Sequence, residues 1–267
     1  MTDLLIQSTL SNLLLALILA VLAWAVQTLA KRPFLAHMLW ILVLLKLITP
    51  PLATLTLASP ASVADILSTN YLPATGMFSS EAPAVLALLN WKTVVVTLWL
   101  LGSVSVLVCS LWRIIRFDRL LKLVSTPAPI EIQQMATEIA ECLGLRNEPS
   151  INITSARVSP MVWWLGGQVR VFLPVALTSQ MEPAQIRCIL AHELTHIHRR
   201  DHLVRWIEWL VCVCFWWNPI AWWARHNLRI TEEICCDALV LTKLKTDSRG
   251  YAESLLNTLE ILASSAI

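Results

Sequence analysis

Three long apolar stretches constrain the fold of this chain more than any other feature. They cover about residues 4–30, 34–52 and 93–115, and each is close to or above the roughly 20 residues that a helix needs to cross a bilayer. The whole chain is 57% hydrophobic and 14% charged, whereas soluble domains have about 45–50% apolar and about 25% charged residues. The sequence therefore predicts a mostly α membrane protein with three N-terminal transmembrane helices.

Basic residues indicate how these spans are oriented. Lys31 and Arg32 lie between the first two spans, and a second basic group lies around the end of the third: Arg113, Arg116, Arg119 and Lys122. The predicted outer loop of about residues 53–90 contains neither lysine nor arginine. Because such residues collect on the cytoplasmic side, we expect an N-terminus outside the cell and a cytoplasmic region after the third span. The net charge of +2 is too small to indicate a nucleic-acid partner.

After the transmembrane region, residues 1–119, the pattern predicts an α+β domain over residues 120–267. Pro127 and Pro129 mark a linker, and helices are predicted over residues 130–143, from Pro183 to about 199, over 229–244 and over 251–262. Residues 150–154 and 169–173 are β-rich. An apolar stretch rich in tryptophan, residues 203–224, is divided by Asn218-Pro219.

Residues 192–196 read His-Glu-Leu-Thr-His. Histidines four residues apart share one face of a helix, so His192 and His196 can bind one zinc ion. Glu193 lies beside the metal, where it can take a proton from a bound water. This motif predicts a zinc-dependent hydrolase.

A catalytic zinc needs a third protein ligand and one open position. His202 follows at a spacing known from other zinc peptidases, but that arrangement needs a glycine where this chain has Arg199. Glu233 is the better candidate, because Asp237 four residues later can orient a ligand histidine through the ring nitrogen that does not bind the metal. Glu232 is a rival that lies about 100° around the helix.

The third ligand places a condition on topology. If residues 203–224 crossed the membrane once, Glu233 would lie across about 30 Å of hydrocarbon from the histidines. We therefore predict a re-entrant or interfacial hairpin that returns to the cytoplasmic side, with its tryptophans at the interface. Candidates for oxyanion or substrate contacts are Arg229, His226 and Tyr251. The seven cysteines lack C-x-x-C spacing and are predicted to be free and buried.

Together these motifs resemble the membrane metallopeptidases typified by bacterial β-lactam sensor-transducer receptors. The resemblance covers essentially the whole chain: three spans, the motif at residues 192–196 continued by Arg-Arg-Asp-His at 199–202, Trp-Asn-Pro at 217–219, Arg229 with Glu233-x-x-Cys236-Asp237, and Ser159-Pro160…Gly166 before residues 171–174. It implies a cytoplasmic zincin-like (gluzincin) domain in a bacterial inner membrane, with Zn²⁺ on His192, His196 and Glu233. It also implies an edge strand at residues 169–173 that holds an extended substrate.

The expected function is hydrolysis of a cytoplasmic protein or peptide, such as a transcriptional repressor or the chain itself, in signal transduction. The expected partners are the lipid bilayer and that substrate, and a homodimer is left open. The receptors continue with another span and an extracellular sensor domain, which we do not expect within these 267 residues. The sequence does not distinguish a fragment of a longer receptor from a stand-alone protein. Two alternative functions are a membrane quality-control protease and a non-proteolytic signalling scaffold.

Overall fold

The computed structural model describes residues 2–49, 91–243 and 247–264. Most of these residues are helical. The helices are α1 (Thr2–Ala25), which continues as a π-helical turn (Val26–Ala30), α2 (Pro33–Ile48), α3 (Trp91–Leu123), α4 (Ile130–Leu143), α5 (Val175–Gln180), α6 (Pro183–Arg199), α7 (Asp201–Cys214), α8 (Pro219–Lys243) and α9 (Ser248–Ser264). The strands are β1 (Ser125–Pro127), β2 (Ser150–Thr154), β3 (Met161–Trp163) and β4 (Arg170–Pro174).

Two of the three predicted spans correspond to helices that are long and apolar enough to cross a membrane. They are Ser11–Ala30, with 20 residues, and Thr93–Leu123, with 31. The second predicted span is a shorter helix: α2 has 16 residues, or about 24 Å at 1.5 Å per residue. It ends before Thr49, which is extended because the residue preceding a proline disfavours helical geometry. Residues 50–52 and the predicted outer loop lie outside the described residues, and the three-span topology stays a prediction.

The first two helices pack against the α7–α8 hairpin. Ala16, Ala20 and Ala23 of α1 are fully buried in a cluster with α2, α7 and α8, where small side chains allow close approach of helices. Trp40 of α2 meets Trp223 of α8 edge to face at 5.2 Å. The apolar N-terminal helices and the C-terminal region therefore share one buried cluster, and α3 runs past the predicted boundary at residues 119/120.

The strands of the described region form one four-stranded sheet in the order β1-β2-β4-β3. The predicted linker around Pro127 is wrong, because Ser125–Pro127 pairs antiparallel with β2. The predicted edge strand is also wrong: β4 pairs with β2 on one side and β3 on the other. Its Pro174 is the last residue of the strand, so the N–H that proline lacks is missing at the end of the strand rather than in its interior. β3, which the sequence pattern did not reveal, forms the edge beside β4.

Helices α4, α6 and α9 pack with the sheet around a second buried cluster. The predicted helix over residues 130–143 is confirmed, and Gly144 ends it with φ of 73°, a conformation that glycine adopts without cost. The predicted start of α6 at Pro183 is also confirmed, with Glu182 and Gln185 forming a capping box. The predicted separate helix over residues 229–244 is wrong, because α8 is continuous from Pro219.

A sharp turn joins α7 to α8 and makes them antiparallel. Asn218 caps α8 by accepting a hydrogen bond from the backbone N–H of Ile220 at 2.9 Å, and Pro219 begins the helix. Glu208 of α7 lies 3.4 Å from Arg229 of α8, and Arg205 lies 3.7 Å from Glu232. The hairpin therefore returns the chain to the end of α6. This return is what Glu233 needs in order to reach the two histidines of the motif.

Candidate metal centre and active site

Helix α6 presents both motif histidines on one face. The Nε2 atoms of His192 and His196 are 3.3 Å apart. The opposite face is held in the core by Leu190 and Leu194, which are both fully buried. This packing fixes the helix, so the imidazoles are directed to one point.

Helix α8 brings Glu233 to the same point. Its Oε2 lies 3.2 Å from Nε2 of His192 and 3.8 Å from Nε2 of His196. Two ligand atoms at about 2.0–2.1 Å from a tetrahedral zinc are about 3.3–3.4 Å apart, close to the three separations found here. The two nitrogens and the carboxylate oxygen therefore fit one zinc ion, and the structure brings together the three residues that were predicted as its ligands.

The second nitrogen of His192 faces a pair of oxygen atoms. Its Nδ1 lies 2.8 Å from the Tyr251 hydroxyl and 3.1 Å from Oδ1 of Asp237, and the hydroxyl donates to Asp237 at 2.7 Å. An Nδ1–H directed at these oxygens leaves the Nε2 lone pair free for a metal. Asp237 lies where the orienting role requires, and Tyr251 lies behind the imidazole rather than in front of it.

His196 has its own carboxylate, which the sequence analysis missed. Oδ2 of Asp201 is 2.8 Å from Nδ1 of His196, and Asp201 is 1% exposed. Arg199 donates to the same carboxylate at 3.3 Å. The chain reaches this position because Arg200 adopts the left-handed conformation, with φ of 62°, between α6 and α7. The turn thus forms without glycine and brings Asp201, rather than His202, to the ligand histidine.

The electrostatics of the centre favour a bound cation. Burial alone would lower the pKa of His192, but the carboxylates of Asp237 and Glu233 outweigh it and raise this pKa to about 10. The hydrogen bond from His192 holds the pKa of Glu233 below its usual value. Burial raises the pKa of Glu193, which makes its carboxylate a stronger base. A site that holds a proton this firmly also attracts a divalent metal, which competes with the proton for Nε2.

A cleft of about 540 Å³ opens in front of the three ligand atoms. Glu193 lies in its wall and is 7% exposed. The lining also includes Met161 and Val162 of β3, the preceding residues Ser159 and Pro160, and apolar side chains of α9. The three donor atoms are therefore accessible from a cleft that an edge strand helps to form.

The predicted oxyanion candidates are placed elsewhere. Within the described part of the chain, Arg229, His226 and Tyr251 are absent from the residues that line this cleft. Arg229 donates to Glu208, and His226 is exposed on α8. His202 and Arg205 line the cleft instead. Both residues lie on α7, after the motif at residues 192–196. Their position in the cleft depends on the tight turn at Arg200, which the sequence did not predict.

The rival ligand Glu232 does not join the three. It is fully buried, and its carboxylate lies 3.7 Å from Arg205. Burial raises its pKa to about 7. Within the described residues its carboxylate does not belong to the group of donor atoms formed by His192, His196 and Glu233.

The cysteines are all free, as predicted, but Cys109 and Cys142 are exposed rather than buried. A second set of donor atoms surrounds the outer nitrogen of His196, with Sγ of Cys236 at 3.2 Å and Asp201 at 2.8 Å. A metal bound there would need Nδ1 of His196, the nitrogen that pairs with Asp201. Cys236 was not predicted to lie so close to a ligand histidine.

Comparison with known proteins points to one family for this chain. A family model described as BlaR1 peptidase M56 matches residues 5–266. The regulatory protein BlaR1 of Bacillus licheniformis is 24% identical over 160 residues, which are 59% of this chain and 26% of that protein. The methicillin resistance mecR1 protein of Staphylococcus aureus is 22% identical over 240 residues, which are 83% of this chain and 40% of that protein. The chain thus spans well under half the length of these relatives.

Proposed function

Because the chain belongs to the BlaR1 peptidase M56 family, we propose that it is a membrane-bound, zinc-dependent endopeptidase of the gluzincin type. His192, His196 and Glu233 hold the metal. The observation that carries this proposal is the convergence of their three donor atoms within 3.2–3.8 Å. Asp237 and Asp201 orient the two imidazoles from behind, as carboxylates commonly do for histidine ligands.

Glu193 is the proposed general base. When bound, zinc lowers the pKa of its water to about 7 and polarises a peptide carbonyl. Glu193 would accept a proton from the attacking water and pass it to the leaving nitrogen, and the raised pKa of its buried carboxyl suits both transfers. Arg205 and His202 line the same cleft and are the proposed contacts for the negative charge that develops on the carbonyl oxygen.

The cleft favours an extended peptide. β3 is the edge strand beside β4, so its free side can add a substrate strand by backbone hydrogen bonds. Leu255, Leu259 and Leu262 of α9 also line the cleft and favour apolar side chains of the substrate. We propose a cytoplasmic protein substrate in a regulatory pathway, in keeping with the relative named a regulatory protein.

The membrane topology is part of the proposal. Three N-terminal spans would cross a bacterial inner membrane from an outer N-terminus, and the α7–α8 hairpin would enter the membrane from the cytoplasmic face and return without crossing. Supporting features are the two candidate spans, the basic residues at the predicted cytoplasmic ends, and the exposed tryptophans Trp216, Trp217 and Trp222 near the hairpin turn.

The proposal is tested with Glu193→Gln in the purified full chain. We expect the variant to retain zinc, measured by elemental analysis, and to lose cleavage of denatured casein by about 10²–10⁴-fold, the usual contribution of a general base. Glu138→Gln removes an exposed carboxylate that pairs with Arg187, and this control should cleave normally. Wild-type cleavage by Glu193→Gln would refute its role, and zinc binding without cleavage by the wild type would favour a scaffold.

A further inference from the structure

A second cavity, of about 580 Å³, lies between α3, α7 and α8. Its polar lining is mainly arginine and its apolar lining is rich in tryptophan. We call it the arginine–tryptophan cavity and define it by these residues: Arg113, Arg205, Arg225, Arg229, Trp163, Trp164, Trp206, Trp209 and Trp222. Met161, Val162, His202 and Arg205 line both this cavity and the catalytic cleft, so the two are neighbours.

The charges in this cavity are unbalanced. Its four arginines are accompanied by a single lining carboxylate, Glu208. Glu208 is 3.7 Å from Arg225 and 3.4 Å from Arg229, and its Oε1 accepts no hydrogen bond. Arg113 is exposed and forms no ion pair with any described residue. Arg205 pairs with the buried Glu232 at 3.7 Å, so the four guanidinium groups face two carboxylates. The cavity therefore keeps an excess of positive charge that can attract an anion.

Helix α3, which is a candidate membrane span, contributes apolar side chains to the same cavity. Val106 and Ile114 of α3 line it beside Arg113, within Thr93–Leu123. Trp222, exposed on α8, stacks on Arg225 with the guanidinium carbon 5.5 Å from the ring centroid. Arginine and tryptophan beside an apolar span are typical of the depth at which lipid headgroups lie.

We propose that this cavity binds one anionic phospholipid. The phosphate would lie among the arginines, and an acyl chain would extend along α3. An acidic peptide would satisfy the same charges, but it would leave the apolar wall of α3 facing the bilayer. A lipid satisfies both, and basic pockets beside membrane spans commonly bind acidic headgroups. The inference goes beyond the proposed catalysis and depends only on the membrane location.

The test is lipid binding to the purified full chain in nonionic detergent, counted by native mass spectrometry. Phosphatidylglycerol should bind more tightly than phosphatidylcholine. Arg113→Gln should weaken phosphatidylglycerol roughly fivefold, since one basic residue contributes about 1 kcal/mol to such binding, and Arg113→Glu should weaken it further. The matched control is Arg116→Gln, one turn away on the same exposed helix but outside the cavity lining. It should change binding less than twofold.

Three results would overturn the proposal. They are equal binding of the two lipids, an equal loss in the Arg116→Gln control, and displacement of bound phosphatidylglycerol by a polyglutamate peptide that itself requires Arg113. The last would make the cavity a subsite for acidic peptides. Because both Arg113 variants change an exposed side chain, unaltered thermal unfolding should accompany the loss of lipid. The measurement does not use cleavage, so it stands apart from the test of Glu193.

Discussion

Removing the charge of Asp201 tests how the protein holds its metal. Asp201 lies 2.8 Å from Nδ1 of His196 and is 1% exposed. Burial would raise the pKa of Asp201, but the hydrogen bond to His196 and the charge of Arg199 outweigh it and lower the pKa, so the residue is ionised at neutral pH. Asp201→Asn keeps the shape of the side chain and removes this charge.

The expected loss is in zinc affinity. Changing a residue that supports a metal ligand typically costs 10–100-fold, which corresponds to about 1.4–2.7 kcal/mol. A hydrogen bond to a charged group contributes about 1.5–3 kcal/mol, so two independent estimates agree. We therefore expect the dissociation constant for zinc, measured by competition with a chelator, to rise 10–100-fold in Asp201→Asn.

Asp118→Asn is the matched control. Asp118 is also a buried carboxylate, 5% exposed, and it accepts from Arg170 at 2.9 Å and from Trp163 at 3.0 Å. Its loss should lower thermal stability without changing zinc affinity, because it does not contact a ligand histidine. An unchanged zinc affinity in Asp201→Asn, or an equal loss in Asp118→Asn, would refute the reasoning.

Three further predictions follow from the same structure. The pKa of His192 in the absence of metal is about 10, so zinc must displace a proton from this residue. The contribution of His192 to zinc affinity should therefore rise about tenfold per pH unit from pH 7 to 9. A zinc affinity that stays constant above pH 6.5 in chelator titrations would contradict this. Tyr251→Phe should weaken zinc binding without the 10²–10³-fold loss of kcat expected for an oxyanion donor; a kcat loss of that size in zinc-saturated enzyme would place Tyr251 in the cleft. A Cβ at Gly102 would lie 2.5 Å from the Trp216 ring, so Gly102→Val should lower the thermal midpoint by an amount equivalent to about 1–3 kcal/mol, whereas Ser105→Val, on the exposed side of α3, should not.

Local signals in the sequence were sufficient for the long elements. Gly144 ends α4 and Pro183 begins α6, as expected of a helix-ending and a helix-starting residue. The proximity of the three candidate ligands was also predictable, because the spacing of His192 and His196 fixes their common face, and only a returning hairpin lets Glu233 reach them.

Features that depend on pairing between distant segments were not predictable. β1 and β3 have three residues each, too few for an alternating pattern, and their position is set by neighbouring strands. The sequence of residues 169–173 likewise does not reveal that β4 lies inside the sheet and β3 at its edge. Asp201 reaches His196 only because Arg200 adopts a left-handed conformation, which arginine does not favour.

The most direct test of the metal centre is X-ray absorption at the zinc edge of the zinc-loaded full chain. Coordination by His192, His196 and Glu233 predicts only nitrogen and oxygen at about 2.0–2.2 Å, with the scattering of two imidazoles and no sulfur. Glu233→Gln should change this spectrum and Glu232→Gln should leave the zinc ligands unchanged. A sulfur at about 2.3 Å would instead place the metal at Cys236, and it would contradict the assignment.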